Sequence, residues 1–290
     1  MTLARRLTLL PVPIAAAVLW ALMFRPLTEP AGNNSYWVRE LRWAALIALV
    51  LVLIVLAQGG RRTTYGALGV GVAWLAADIA IDRAGLSTIG LALGATAAGL
   101  ACWAVVTTLP FVREPNVPLA VAIVAAVASG LATATESPTG TEPALALGSA
   151  ATGSLLALTA VLAAGAGARA AALAVAAPWL LRYALPEPSG VRWLAVFAFT
   201  VLLIGLLAGR ARAALAAVVI PLMLLPLVLL SALLPSGRLL TALAGHPPIG
   251  PGDEDVVLIV LAVPIGVVLA RTMVAFSPSA SPAGRAPIPR

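Results

Sequence analysis

The sequence predicts an all-α fold: a polytopic integral membrane helix bundle of about ten transmembrane helices, with the N-terminus and the C-terminus both cytoplasmic. Three observations carry that expectation. Charge is scarce, apolar runs of span length recur along the chain, and arginine alternates between the two sides. Hydrophobic residues fill 61% of the 290 positions and charged residues only 10%. A water-facing surface needs roughly 25% charged residues, so lipid must be the main solvent of this chain.

A helix crosses the hydrocarbon core in about 20 apolar residues at 1.5 Å each. Such runs fall at 7–24, 40–57, 66–82, 88–109, 117–134, 144–164, 169–185, 192–208, 213–234 and 256–275, separated by charge or by Pro/Gly clusters. The first run follows Arg5 and Arg6 and could pass for a signal peptide. It lacks an A-x-A cleavage site and runs into Arg25-Pro26, so it reads as an uncleaved span. The second lies between Arg39-Glu40 and Gln58-Gly59-Gly60, and the third between Arg61-Arg62 and Asp82-Arg83. Pro110 and Pro115 bracket the loop between the fourth and fifth, and Glu136 and Glu142 the loop between the fifth and sixth. Arg169 opens the seventh, Arg192 the eighth and Arg212 precedes the ninth. The tenth follows Asp255 and stops before Ser277-Pro278.

Orientation follows from arginine bias in short loops. All 18 basic residues are arginine. With the N-terminus inside, the cytoplasmic segments hold Arg5, Arg6, Arg61, Arg62, Arg113, Arg169, Arg210, Arg212, Arg271, Arg285 and Arg290, with Glu114 as their one acid. The outer side collects Glu29, Glu40, Asp82, Glu136, Glu142, Glu187, Asp253, Glu254 and Asp255 beside Arg25, Arg39, Arg42, Arg83, Arg182, Arg192 and Arg238. Trp20, Tyr36, Trp37, Trp43, Trp179, Tyr183 and Trp193 fall near the same outer boundary, where amphipathic rings favour the headgroup level. The implied location is the bacterial plasma (inner) membrane.

Residues 1–276 read as a single transmembrane domain, and the Pro/Ser-rich 277–290 as a disordered cytoplasmic tail. Residues 42–62 and 192–212 echo one another, each opening on Arg-Trp and closing on Gly and Arg. A parallel repeat of about 7–110 and 169–275 would explain the echo, as would shared topology alone.

Composition excludes several chemistries. A Walker A loop and a Schiff-base enzyme both need a lysine. Cys102 and His246 are each single, so no intrachain disulfide exists and no cofactor or Cys/His metal site is expected. No basic cluster with interleaved aromatics points to nucleic acid. The expected partners are the lipid bilayer and, beyond it, a membrane protein or a second copy of the chain.

Within the spans, a carboxylate is the strongest signal, because burying one costs about 2.5–3.5 kcal/mol on insertion scales. Asp78 sits inside the third span, Asp82 lies at i+4 on the same face, and Arg182 sits at matching depth in the seventh. An Asp78–Arg182 pair or a shared polar cavity on a substrate or ion pathway is the expectation. The Asp78-x-x-x-Asp82 spacing is similar to an aspartate motif of intramembrane prenyltransferases, but their second aspartate-rich motif has no counterpart, and no family is assigned. Asp253, Glu254 and Asp255 form an outer-loop acidic cluster before the last span, best read as helix N-terminal acids. His246 in Gly245-His-Pro-Pro reads as a solvated loop residue. Pro11, Pro13, Pro178, Pro221, Pro226 and Pro264 interrupt spans and favour bent helices around a cavity. Gly90-x-x-x-Gly94 and Gly66/Gly69/Gly71 read as tight helix contacts.

The functional expectation is a transporter or permease-like protein for a small or lipidic solute without its own ATPase. The alternatives are a non-catalytic membrane subunit or assembly partner and, behind it, an intramembrane enzyme acting on lipid-linked substrates. Ten spans are similar in count to drug/metabolite exporters, and the likeness stops at the count. Convergence of Asp78, Arg182 and the prolines on a water-accessible pocket separates these readings.

Overall fold

A computed structural model describes residues 7–24, 39–84, 86–109, 114, 116–135, 143–185, 189–234, 236–246 and 255–275. Every regular element among them is a helix. In chain order these are α1 (Pro11–Leu22), α2 (Arg39–Leu56), α3 (Arg61–Ala84), α4 (Thr88–Thr108), α5 (Val117–Ala134), α6 (Pro143–Ala164), α7 (Ala168–Ala184), α8 (Gly190–Ala208), α9 (Arg210–Leu233), α10 (Ser236–Leu243) and α11 (Asp255–Ala275).

Each expected run is a helix, and α10 is an addition inside what reads as an outer loop. Among the described residues, seven helices are both long and apolar enough to cross a membrane: α3, α4, α5, α6, α8, α9 and α11. The other three expected runs fall short for identifiable reasons. α1 has 12 residues and α7 has 17, while α2 carries Arg39, Glu40 and Arg42 in its first turn.

Local chemistry explains the boundaries. Pro11 and Pro13 stand at the start of α1, where proline's missing N–H costs nothing. The Ser189 hydroxyl caps α8 by accepting from the Arg192 N–H at 3.2 Å. Gly209, at φ 97°, turns the chain from α8 directly into α9, a left-handed backbone that favours glycine. Gly59, at φ 80°, does the same between α2 and α3. Its neighbour Gln58 accepts the Glu114 N–H at 3.0 Å, which ties that turn to the start of α5.

The core lies on α2, α5 and α6. α5 packs against α6, α11, α8 and α2, and α2 also meets α1, α3 and α6. Close approach comes from small residues and hydroxyls. A Cβ on Gly266 of α11 would come within 2.6 Å of the Val124 backbone of α5. Gly130 of α5 faces Thr200 of α8, and Gly153 of α6 faces Thr133 of α5 and Pro178 of α7. Ser129 donates to the Gly153 carbonyl at 2.7 Å, Ser149 to Ala132 at 2.6 Å and Ser154 to Val175 at 2.6 Å. Such bonds contribute about 0.6 kcal/mol each, so packing contributes the larger share.

The expected glycine stripes behave otherwise. Among the described residues, a Cβ on Gly66, Gly69, Gly90 or Gly94 would meet nothing within 4 Å, and of these stripes only Gly71 abuts a neighbour, the Val50 side chain. Those stripes therefore face away from the bundle. α3, α4 and α9 expose most of their apolar surface, as Ile89, Leu93, Leu222 and Leu225 show. The two segments that echo each other in sequence sit differently: α2 is in the core and α8 at its edge.

Candidate functional site

The first site grows from two spacings. Arg39 and Arg42 lie three apart in the first turn of α2, so they share a face. Asp78 and Asp82 lie four apart near the end of α3. The short turn at 57–60 makes α2 and α3 antiparallel, which brings the start of one beside the end of the other. Arg42 grips Asp78 with both arms, Nε to Oδ1 at 2.8 Å and Nη2 to Oδ2 at 3.1 Å. The same Nη2 donates to Asp82 Oδ2 at 2.9 Å, and Arg39 Nη2 donates to that oxygen at 2.9 Å. Two indoles complete the shell: Trp20 Nε1 donates to Asp78 Oδ1 at 2.8 Å, and Trp43 Nε1 to Oδ2 at 3.1 Å. The Arg42 guanidinium also lies over the Phe24 ring, 4.2 Å from its centroid.

An ionised carboxylate has about four lone-pair positions. Asp78 receives four donated bonds, and it, Arg39 and Arg42 have no exposed surface. Two arginines against two aspartates leave this group neutral. The cluster is therefore a charge-compensated knot joining α1, α2 and α3, with no acceptor position on Asp78 left for a proton or an ion.

α10 closes the knot from outside. Arg39 Nη1 donates to Thr241 Oγ1 at 3.4 Å, and Arg83 Nη1 to the Leu243 carbonyl at 3.3 Å. His246 Nε2 stands 3.5 Å from Asp82 Oδ1. His246 is thus packed on the cluster rather than solvated in a loop.

Arg182 is elsewhere. It is buried on α7, and its Nη1 donates to the Thr135 carbonyl at 2.8 Å. Thr135 is the C-cap of α5, so Arg182 satisfies a helix-end carbonyl and complements the negative end of that helix. The expected Asp78–Arg182 pair does not form, because Arg42, on the adjoining helix, occupies the carboxylate. Asp253 and Glu254 of the acidic cluster lie outside the described residues, and Asp255 is the first residue of α11. Among the described residues, no three His, Cys, Asp or Glu side chains come together as a metal site would require.

The prolines do not converge on the cluster either. Ile220 and Ile265, the neighbours of Pro221 and Pro264, line an apolar cavity of about 50 Å³ between α5, α8, α9 and α11. Trp20 and Trp43, expected in an interfacial belt, are buried as donors to Asp78. Arg39, Arg42, Trp20, Trp43 and Thr241 are the residues that sequence reasoning missed. The signal that could have found them was the matched pair of spacings, since cations three apart and acids four apart face each other across an antiparallel turn.

The second site is a lateral groove of about 500 Å³ where α3 stands away from α5 and α11. Ile47, Val50 and Ile54 of α2 and Val121 and Val124 of α5 form its floor. Leu68, Val72 and Leu75 of α3 and Val260, Val263 and Val267 of α11 form its sides. Trp43 lines one end, so the indole that binds Asp78 also borders the groove. Arg61, Thr64 and Tyr65 mark the other end. The apolar wall suits a hydrocarbon chain, and the polar end suits a headgroup. Compared with protein-family models, with curated proteins and with solved structures, the chain matches none.

Proposed function

We propose that this chain is a multi-pass protein of the bacterial plasma membrane, with about ten spans and both termini cytoplasmic, acting as a permease-like protein for a lipidic solute. It works without an ATPase of its own. The observation that carries this reading is the lateral groove between α3, α2, α5 and α11, apolar along its length and polar at the Arg61 end. The sealed Asp78 cluster lends no support to a proton or ion pathway. It supports a narrower role, holding the far end of α3 against α2 while the rest of α3 borders the groove. The arginine bias across successive loops supports the orientation.

Lipid translocation in vesicles reconstituted with the full chain tests the reading. Fluorescent phospholipid in the inner leaflet should become accessible to an impermeant reductant faster than in protein-free vesicles. Val72→Trp, which adds bulk at an exposed groove position, should slow it. No acceleration with any phospholipid would sink the transport reading.

A second reading, a non-catalytic membrane subunit, is favoured by one observation. Gly66, Gly69, Gly90 and Gly94 present small-residue faces that touch nothing among the described residues, and such faces suit a partner helix. An intramembrane enzyme would need acids beside the groove, and Asp78 and Asp82 are instead held by arginine.

A further inference from the structure

The groove has a polarity along its length. Its apolar part spans about 16 Å along α2 from Trp43 to Ile54 and about 10 Å along α3 from Leu75 back to Leu68, at 1.5 Å per residue. One leaflet of hydrocarbon is about 15 Å deep, half of a core of about 30 Å. The apolar part of the groove is therefore the length of one leaflet rather than of a whole bilayer. Its two ends differ in charge. At the Trp43 end the ionic groups neutralise one another inside the Arg39–Arg42–Asp78–Asp82 cluster. At the other end Arg61 and Arg62 are exposed at the N-terminus of α3, where backbone N–H groups and the helix dipole also favour an anion. Glu114 is the one acid described near this end, by the Gly59 turn, and the balance stays positive. Thr64 Oγ1 at the same end is buried, lines the groove and has no hydrogen-bond partner among the described residues.

Resting on the groove reading above, we infer that the occupant is an anionic phospholipid of the leaflet at the Arg61 end. Its phosphate lies on Arg61 and Arg62, the Thr64 hydroxyl donates to a headgroup or ester oxygen, and one acyl chain runs along α3 toward Trp43. Charge selects the headgroup, and groove length selects a chain of a single leaflet. A zwitterionic lipid offers the same hydrocarbon without net charge and gains less from the two arginines.

The test uses the full chain in lipid nanodiscs with a phosphatidylglycerol carrying a photoreactive diazirine on one acyl chain. Phosphatidylcholine with the same chain is the comparison. Adducts at the groove-floor residues Val50 and Ile54 are read against adducts at Leu222 and Leu229 of α9, which face outward and report bulk lipid. The expected result is a floor-to-bulk ratio about five- to thirtyfold higher for phosphatidylglycerol, from about 1 kcal/mol per arginine. That preference should collapse in the Arg61→Gln/Arg62→Gln variant, whose changes are at exposed positions. Equal ratios for the two lipids, or a preference that survives in the variant, would overturn the inference and leave the groove reading standing. Absence of floor adducts with both lipids would overturn the groove reading itself.

Discussion

Asp78 shows how far a single residue can be read. A carboxylate in an apolar run is conspicuous, and its position was legible from the sequence alone. Its role was not, because the direction in which Arg42 points depends on how α2 is rotated against α3. The structure replaces an open site with a saturated one, in which Asp78 accepts from Arg42, Trp20 and Trp43. That changes what mutation should do. Removing one partner of a buried pair leaves the other charge uncompensated and costs about 3–5 kcal/mol. Asp78→Asn should accordingly lower the thermal stability of the purified protein by an amount of that order. The double variant Arg42→Met/Asp78→Leu leaves Arg39 paired with Asp82 and should lose less than the two single changes together. A melting temperature for Asp78→Asn equal to that of the parent would count against the knot.

At the scale of elements, glycine separates two kinds of helix face. Gly266 lets α11 approach the α5 backbone, and no longer side chain fits there. Gly266→Leu should destabilise the bundle by about 1–3 kcal/mol through overpacking. Gly90→Leu adds a side chain into open space and should shift stability by no more than about 0.5 kcal/mol in the single chain. A loss of oligomer in Gly90→Leu, read by light scattering of the detergent-solubilised protein, would favour the subunit reading over the permease. Both glycines look alike in sequence, each sitting in an apolar run. Helix positions were legible because span length and punctuation by Pro, Gly and charge act locally. α10 was not, since Ser236–Leu243 is short and is docked on α2 through Thr241 and on α3 through Leu243.

For the whole molecule, the prediction concerns topology. A reporter that fluoresces only in the cytoplasm, fused after Arg290, should give signal, and so should one inserted at the Gly59–Gly60 turn. One inserted at Gly245 should stay dark. A bright Gly245 insertion with a dark C-terminal fusion would invert the arrangement. By itself the sequence determined that the chain is helical and apolar enough for several membrane crossings, where its helices lie and which charged residues stand out. The tertiary structure alone decided that Asp78 meets Arg42 and not Arg182, that Gly266 packs while Gly90 does not, and that a groove opens beside α3. The reason is physical. Lipid tails are as apolar as a protein interior, so hydropathy says that a face avoids water without saying whether it meets lipid, another helix or a bound chain.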